Sequence, residues 1–129
     1  MVLHVTLTGL QATSSSDQAR YAEWLGHRLC QTVEMEVNGN LLDSYDADTY
    51  NFHYQFCVPK SKQTGWKRNV GQEVPKTGYL TQNPGTDTYR ELKQYVDGPQ
   101  TPRRTQGDVD MWIPLLFWFN QDPRLAINN

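Results

Sequence analysis

The residues around Asn38-Gly39 constrain the fold of this chain more than any other local pattern. Apolar and acidic residues alternate from Val33 to Val37, which is the period-2 pattern of a strand with one buried face. Asn-Gly suits a two-residue turn in which both central residues have positive φ. The residues from Asn40 to Asp43 can form the returning strand. The sequence therefore predicts a β-hairpin here.

Three further segments have the pattern of strands. Apolar and polar residues alternate from Leu3 to Leu7, which predicts a strand at the start of the chain. The segment from Met111 to Asn120 is apolar on both sides and should be covered on both faces. Pro114 interrupts the hydrogen-bond ladder of that strand, which indicates a sheet edge or a bulge. After it, Leu125-Ala126-Ile127 predicts the opening of another strand.

Helical signals are short. Ser15 and Gln18 have the spacing of a capping box, which predicts a helical turn through Tyr21 to Leu25, limited by Gly26.

The segment from Ser44 to Cys57 fits both the strand and the helix period. Because Asp46 can cap a helix, we favour a short helix in this segment.

Residues 58–110 are rich in Pro, Gly, Lys, Asn and Thr, which predicts mostly loop. Turns are expected at Asn83-Pro84-Gly85 and at Gly98-Pro99, with one helical turn around Tyr89 to Tyr95. A connection of this length in a compact domain is typical of a functional or interface segment.

Charge and hydropathy disfavour two classes of partner. The 12 basic and 14 acidic side chains give a formal net charge of −2, so no overall field attracts nucleic acid or anionic lipid. One basic segment with an aromatic ring could contact a nucleic acid, but an exposed loop is the better interpretation; it contains Lys60, Lys62, Trp66, Lys67 and Arg68. The longest apolar stretch, Met111 to Phe119, is far shorter than the roughly 20 residues of a membrane-spanning helix.

Catalytic and metal-binding patterns are not evident. The chain contains neither a Walker nor a dinucleotide-binding glycine loop, and His4, His27 and His53 lack metal-ligand spacing. We therefore predict no catalytic residue, no metal and no cofactor. Cys30 or Cys57 beside His27 or His53 could form a nucleophile and base. Two buried, reduced thiols are the preferred interpretation, and whether the two cysteines pair stays open.

The remaining polar and aromatic residues allow two other interpretations. Asp43, Asp46 and Asp48 could suggest a glycosidase pair or a calcium loop, but the glycine and terminal glutamate of an EF-hand are missing. A solvated turn with capping aspartates fits them better. Exposed aromatic rings on a β-sandwich could instead form a sugar-binding platform, for which the candidates are Trp24, Trp66 and Tyr79.

An ordered series of short motifs runs through the chain. It consists of Val37-Asn38-Gly39-Asn40, Leu42-Asp43, Phe56-Cys57-Val58-Pro59, Thr64-Gly65, Val70-Gly71-Gln72-Glu73-Val74, Gly98-Pro99-Gln100-Thr101-Pro102 and Phe117-Trp118-Phe119-Asn120. The series resembles the major capsid protein of the nucleocytoplasmic large DNA viruses, particularly the African swine fever virus type. The resemblance extends from Leu3 to Ile127, nearly the whole chain.

This resemblance implies an all-β fold: an antiparallel β-sandwich that is part of a viral jelly roll, with long loops and one or two short helices. Residues 1–129 would be a partial first jelly-roll domain of a double jelly-roll protein, with further strands before Leu3 and after Ile127. The family forms homotrimeric capsomers of pseudo-hexagonal outline that tile an icosahedral shell.

The same resemblance implies a structural protein and not an enzyme. Its partners would be copies of itself, neighbouring capsomers and minor capsid proteins, with no direct contact to nucleic acid. Its location would be the virion, assembled in the host cytoplasm. The alternative function is a free-standing β-sandwich carbohydrate-binding module.

Overall fold

The computed structural model of the 129-residue chain describes residues 1–81, 89–96 and 100–127, and side chains at 1–74 and 100–127. Six strands and three α-helices follow one another in this part of the chain: β1 (Val2–Leu7), α1 (Leu25–Arg28), β2 (Thr32–Val37), β3 (Asn40–Asp46), α2 (Ala47–Phe52), α3 (Lys60–Asn69), β4 (Val74–Thr81), β5 (Tyr89–Val96) and β6 (Val109–Pro114). A π-helix at His53–Cys57 continues α2, and 3₁₀ turns lie at Trp118–Asn120 and Pro123–Leu125.

The strands form three antiparallel pairs in the described part of the chain: β1 with β6, β2 with β3, and β4 with β5. Few and short helices accompany them, so the predicted antiparallel β-rich fold is confirmed. The strand predicted near Leu3 is confirmed as β1.

The core lies on one face of the β1–β6 pair. Val109, Met111 and Ile113 of β6 are buried, because alternate residues of a strand point to the same face. Tyr21 and Tyr50 complete the buried cluster. Half-buried apolar side chains pack around it; they are Val5, Leu7, Leu25, Leu29, Tyr45, Trp66, Val74 and Leu116. Large rings thus supply much of the apolar burial in this small fold.

The hairpin predicted at Asn38-Gly39 is confirmed as β2–β3. Both turn residues have positive φ, 52° at Asn38 and 79° at Gly39, as a two-residue turn of this kind requires. The strand register shifts between Met35 and Glu36, where a bulge interrupts the ladder.

The short helix favoured within Ser44 to Cys57 is also confirmed, although β3 extends to Asp46 before α2 begins. Asp46 caps α2 as predicted, with its carboxylate accepting hydrogen bonds from the backbone N–H and the hydroxyl of Thr49.

The capping box at Ser15 and Gln18 is wrong, because no helix begins there. The helical turn is α1, which starts at Leu25 and has no side-chain cap. Gly26 does not end the helix but lies inside it, where its N–H donates to the Val70 carbonyl at 2.9 Å. Packing against the chain after α3 therefore places this helix, and a local cap does not.

The prediction that residues 58–110 are mostly loop is wrong. They contain α3 and the strands β4 and β5, and the segment expected to form a helical turn, Tyr89 to Tyr95, belongs to β5. Pairing with β4 along the whole strand overrides the helical preference of the Glu, Leu, Lys and Gln residues of β5. The turns predicted at Asn83-Pro84-Gly85 and Gly98-Pro99 lie outside the described residues.

The long strand predicted from Met111 to Asn120 is too long, because β6 ends at Pro114 and the chain then forms a 3₁₀ turn. Proline cannot donate to the ladder, which explains the end of the strand. The strand is also not covered on both faces, since Trp112 is 52% exposed. Leu125 lies in a second 3₁₀ turn, so the expected strand opening there is wrong.

Candidate functional site

Two of the three histidines predicted to lie apart come together around one indole. Trp66 on α3 donates its Nε1–H to Nε2 of His27 on α1 at 2.8 Å. The His53 ring lies 5.2 Å from the Trp66 ring, measured between centroids. Spacing in the sequence gave no signal for this contact, because 39 residues separate Trp66 from His27. His4 lies elsewhere, stacked on Trp112 across the β1–β6 pair at 4.0 Å.

His27 is buried between two further rings. Its imidazole stacks on Trp24 with a centroid distance of 4.9 Å and on Tyr50 at 5.7 Å. Burial, with smaller contributions from the charges of Arg28 and His53, lowers the pKa of His27 from 6.5 to about 4. The neutral imidazole can then accept the indole hydrogen bond, which an imidazolium could not do at this nitrogen.

A second polar contact joins three elements inside the core. The hydroxyls of Tyr45 and Tyr50 lie 2.9 Å apart, and the Leu116 N–H donates to the Tyr45 hydroxyl at 3.1 Å. Burial, followed by the contact with Tyr45, raises the pKa of Tyr50. These hydroxyls link β3, α2 and the segment after β6, and their role is to hold the core together.

The arrangement does not provide the parts of a catalytic or metal site among the described residues. No group of three or more His, Cys, Asp or Glu side chains could hold a metal ion there. Both cysteines are free, and no hydrogen bond joins either thiol to a histidine in the part of the chain described. Cys30 is half-buried and Cys57 is exposed, so the expected burial of both thiols is wrong.

Two open clefts adjoin the aromatic rings packed around His27 and Trp66. One of about 370 Å³ lies between α1 and α2 and includes Trp24, Arg28 and Asp48, and another of about 490 Å³ lies beside His53 and Cys57. In the described residues, no buried side-chain nitrogen or oxygen lacks a hydrogen-bond partner. Neither cleft therefore presents an unsatisfied buried group for a ligand to meet.

The aromatic residues proposed for sugar or nucleic-acid contact are mostly used internally. Trp24 and Trp66 are half-buried and engage His27, as described above. The Tyr79 side chain lies outside the described residues. The lysines at 60 and 62 are exposed on α3, but Trp66 between the basic residues faces the core and not the solvent.

What the surface does present is exposed apolar side chains. Phe52 and Phe56, one helical turn apart, are 59% and 79% exposed and stack on each other at 6.5 Å. A second group lies on the β2–β3 hairpin, where Val37, Leu41 and Leu42 are exposed. Exposed apolar groups on several sides are typical of a chain whose surface is covered by other protein. In the described residues, no helix has the length and apolar character to span a bilayer.

Comparison with known proteins gives the class. The family model of the major capsid protein N-terminus matches residues 1–128. The chain therefore belongs to the major capsid protein family of large DNA viruses, and the resemblance noted in the motifs is confirmed.

Individual relatives agree with this assignment. The chain is 30% identical to hexon protein p72 of African swine fever virus (strain Badajoz 1971 Vero-adapted), over 83% of this chain and 26% of p72. It is 27% identical to the major capsid protein of Phaeocystis pouchetii virus, over 97% of this chain and 24% of that protein. The chain thus spans about a quarter of the length of these relatives.

A solved structure shows the same fold. The Faustovirus major capsid protein superposes with a TM-score of 0.66 at 32% sequence identity, covering 98% of this chain and 26% of the Faustovirus chain. The antiparallel pairs and short helices described above correspond to part of a viral major capsid protein jelly roll, which confirms the predicted fold class.

Proposed function

We propose that this chain is the partial first jelly roll of a capsid protein that forms homotrimeric, pseudo-hexagonal capsomers of an icosahedral virion. The observation that carries the proposal is the family match over residues 1–128, supported by the superposition on the Faustovirus protein. Neighbouring capsomers and minor capsid proteins are the expected partners, and the host cytoplasm is the expected place of assembly. The role is structural and not enzymatic.

The physical properties of the chain suit this role. The buried face of β1–β6 and the contact between the Tyr45 and Tyr50 hydroxyls stabilise the packed core. Apolar side chains such as Phe56 and Leu41 are exposed and are available for contacts with other protein. Contacts in a shell are repeated many times, so each one can be small. The strands that complete the jelly roll would come from sequence before Leu3 and after Ile127.

The experiment is to express the longest reading frame that contains this segment and to measure the mass of the purified product by multi-angle light scattering. A mass of three chains is the expected result. A monomer at all concentrations tested would contradict the trimeric capsomer. Sequencing through both ends of the segment tests the domain assignment, because the flanking sequence should encode further apolar strands.

A further inference from the structure

The turn of the β2–β3 hairpin places an asparagine directly before a glycine at the surface. Asn38 and Gly39 are both exposed, and they form the two-residue turn between the paired residues Val37 and Asn40. Among the described residues, nothing lies within 4 Å of a Cβ placed on Gly39. The side-chain amide of Asn38 and the backbone nitrogen of Gly39 are therefore two reactive groups on neighbouring residues in an open part of the hairpin.

These two groups can react with each other without an enzyme or a cofactor. When the Gly39 nitrogen loses its proton to hydroxide, it can attack the side-chain carbon Cγ of Asn38. A bond forms between this nitrogen and Cγ, the bond from Cγ to Nδ2 breaks, and Nδ2 takes up a proton and leaves as ammonia. The product is a cyclic imide. Glycine permits this attack better than any other residue, because it has no Cβ to crowd its nitrogen.

Water then opens the imide at either of its two carbonyl carbons. Hydrolysis at Cγ gives an ordinary aspartate at position 38. Hydrolysis at the main-chain carbonyl gives isoaspartate, in which the backbone runs through Cβ and Cγ. By either route, asparagine and water become a carboxylate and ammonium. The reaction therefore adds a negative charge to a hairpin that already exposes Glu34 and Glu36.

The conformation of the turn opposes the first step. Both residues have positive φ, 52° at Asn38 and 79° at Gly39. In a turn of this kind, ψ of the first residue is about +30°, which directs the following nitrogen away from the side chain. Attack therefore requires rotation about the Cα–C bond of Asn38, and this rotation breaks the turn. The reaction proceeds only when the hairpin opens.

The hairpin tip, Val37 to Asn40, is the part of the hairpin that can open most easily. All four of its residues are exposed, and the strand register shifts just before it, between Met35 and Glu36. In the described part of the chain, Asp43 is the hairpin residue nearest the turn whose side chain hydrogen-bonds to another element: it accepts from the Trp118 N–H at 3.0 Å. Two-stranded ribbons with little apolar burial are marginally stable, and such segments open locally at a low cost in free energy.

We propose that Asn38 is a site of spontaneous deamidation and that opening of the hairpin tip sets its rate. The two products have different consequences. Because Asp-Gly also suits a two-residue turn, the aspartate form keeps the hairpin. Isoaspartate lengthens the backbone of the turn, no longer fits it and loosens the pairing of β2 with β3. The inference does not depend on the proposed function.

The test incubates the whole capsid protein that carries this segment at pH 7 and at pH 9 and follows each asparagine by peptide mapping and mass spectrometry. Asn51 and Asn69 are controls within the same molecule, since Phe52 and Val70 follow them and carry a Cβ beside the attacking nitrogen. A synthetic peptide with the sequence of residues 36–41 gives the rate in the absence of the hairpin.

Asn38 should lose ammonia about tenfold or more faster than either control, because its attacking nitrogen belongs to glycine. The loss should be faster at pH 9, where more of the Gly39 amide is deprotonated. In the protein, Asn38 should react about tenfold or more slowly than in the peptide, because only the open hairpin reacts. Hydrogen exchange in β2 and β3 should be faster in the isoaspartate fraction than in the aspartate fraction.

One variant tests the role of hairpin opening. Asp43→Ala removes the hydrogen bond to the Trp118 N–H and should bring the Asn38 rate closer to that of the peptide. Ser44→Ala, an exposed change on the same strand that keeps the Asp43 carboxylate, is the matched control and should leave the rate unchanged.

Two results overturn the inference. If Asn38 stays intact, or reacts no faster than Asn51 and Asn69, it is not a deamidation site. If Asn38 reacts as fast in the protein as in the peptide, or if Asp43→Ala leaves its rate unchanged, opening of the hairpin does not set the rate. The comparison of protein with peptide decides the second point if Asp43→Ala fails to fold.

Discussion

His27 is the residue on which the packing between α1, α2 and α3 depends. Its ring lies between Trp24 and Tyr50, and its Nε2 accepts the Trp66 indole proton. A local pattern could not predict this, because the partners come from three separate segments. Asp46 shows the opposite case: it caps the helix that begins at the next residue by accepting from Thr49, three residues along the chain, so its sequence neighbourhood was sufficient to predict its role.

Removal of the indole donor should destabilise the protein. In Trp66→Phe, the ring stays apolar but His27 Nε2 loses its partner while still buried, which costs about 1–3 kcal/mol. The measurement is thermal unfolding of the protein that carries this segment, with hydrogen exchange to localise the loss to α1 and α3. Trp112→Phe is the control, because that exposed indole donates no hydrogen bond in the described residues. Equal melting temperatures for the two variants would contradict the role of the bond.

Acid should weaken the fold through the same residue. His27 has a pKa of about 4 when folded and about 6.5 when unfolded, so the unfolded chain binds more protons between these values. The contribution of neutral His27 to the free energy of unfolding is therefore fully present above pH 6.5. It is lost as the pH falls towards 4, by at most about 1.4 kcal/mol per pH unit.

The measurement for this pH prediction is urea unfolding from pH 7 to pH 4. His27→Gln should flatten the slope, while His53, whose pKa is also lowered by burial, keeps part of it. A His27→Gln protein with the full slope of the unaltered chain would refute the assignment.

At the scale of elements, the β2–β3 hairpin was predictable and α3 was not. Asn38-Gly39 specifies its turn by backbone conformation alone, whichever residues pack on the strands. The α3 sequence has no apolar stripe and contains Gly65, so neither period nor propensity marks it; Pro59 just before its start was the one usable signal. β5 was misassigned because its residues prefer helix and its pairing with β4 is a tertiary effect.

The contact of α1 with the end of α3 gives a prediction at this scale. A Cβ placed on Gly26 would lie 2.9 Å from both the Cβ and the carbonyl oxygen of Val70, and the backbone there cannot easily move. Gly26→Ala should therefore lower the free energy of unfolding by about 1–3 kcal/mol.

Gly65→Ala is the matched control for this substitution, since Gly65 also lies in a helix and nothing is within 4 Å of its added Cβ. Alanine there should stabilise α3 by up to about 1 kcal/mol. Denaturant unfolding of both variants is the measurement. A neutral or stabilising Gly26→Ala would show that α1 does not approach Val70 as closely as described.

For the molecule as a whole, the ordered motifs predicted the family although each motif alone is weak. The packing around His27 and the strands β4 and β5 were not predictable in the same way, because they depend on contacts between distant segments. The chain covers about a quarter of the length of its capsid relatives, and it exposes apolar side chains such as Phe56 and Trp112. Burial of those side chains would require contacts with protein outside the described residues.

Residues 1–129 expressed alone should therefore be aggregation-prone or loosely packed. Exposed apolar side chains and unpaired strand edges both favour association with other copies in an uncontrolled way. Light scattering and urea unfolding are the measurements. A soluble monomer with one sharp, cooperative urea transition would contradict this prediction.

The central claim, that this chain is part of the protein that builds a viral shell, is tested most directly by quantitative mass spectrometry of purified virus particles from the source of this sequence. Peptides from residues 1–129 should come from the most abundant protein of the particle. Their molar amount should equal that of peptides from the rest of the same protein. Particles that lack these peptides, or contain them only in trace amounts, would contradict the claim.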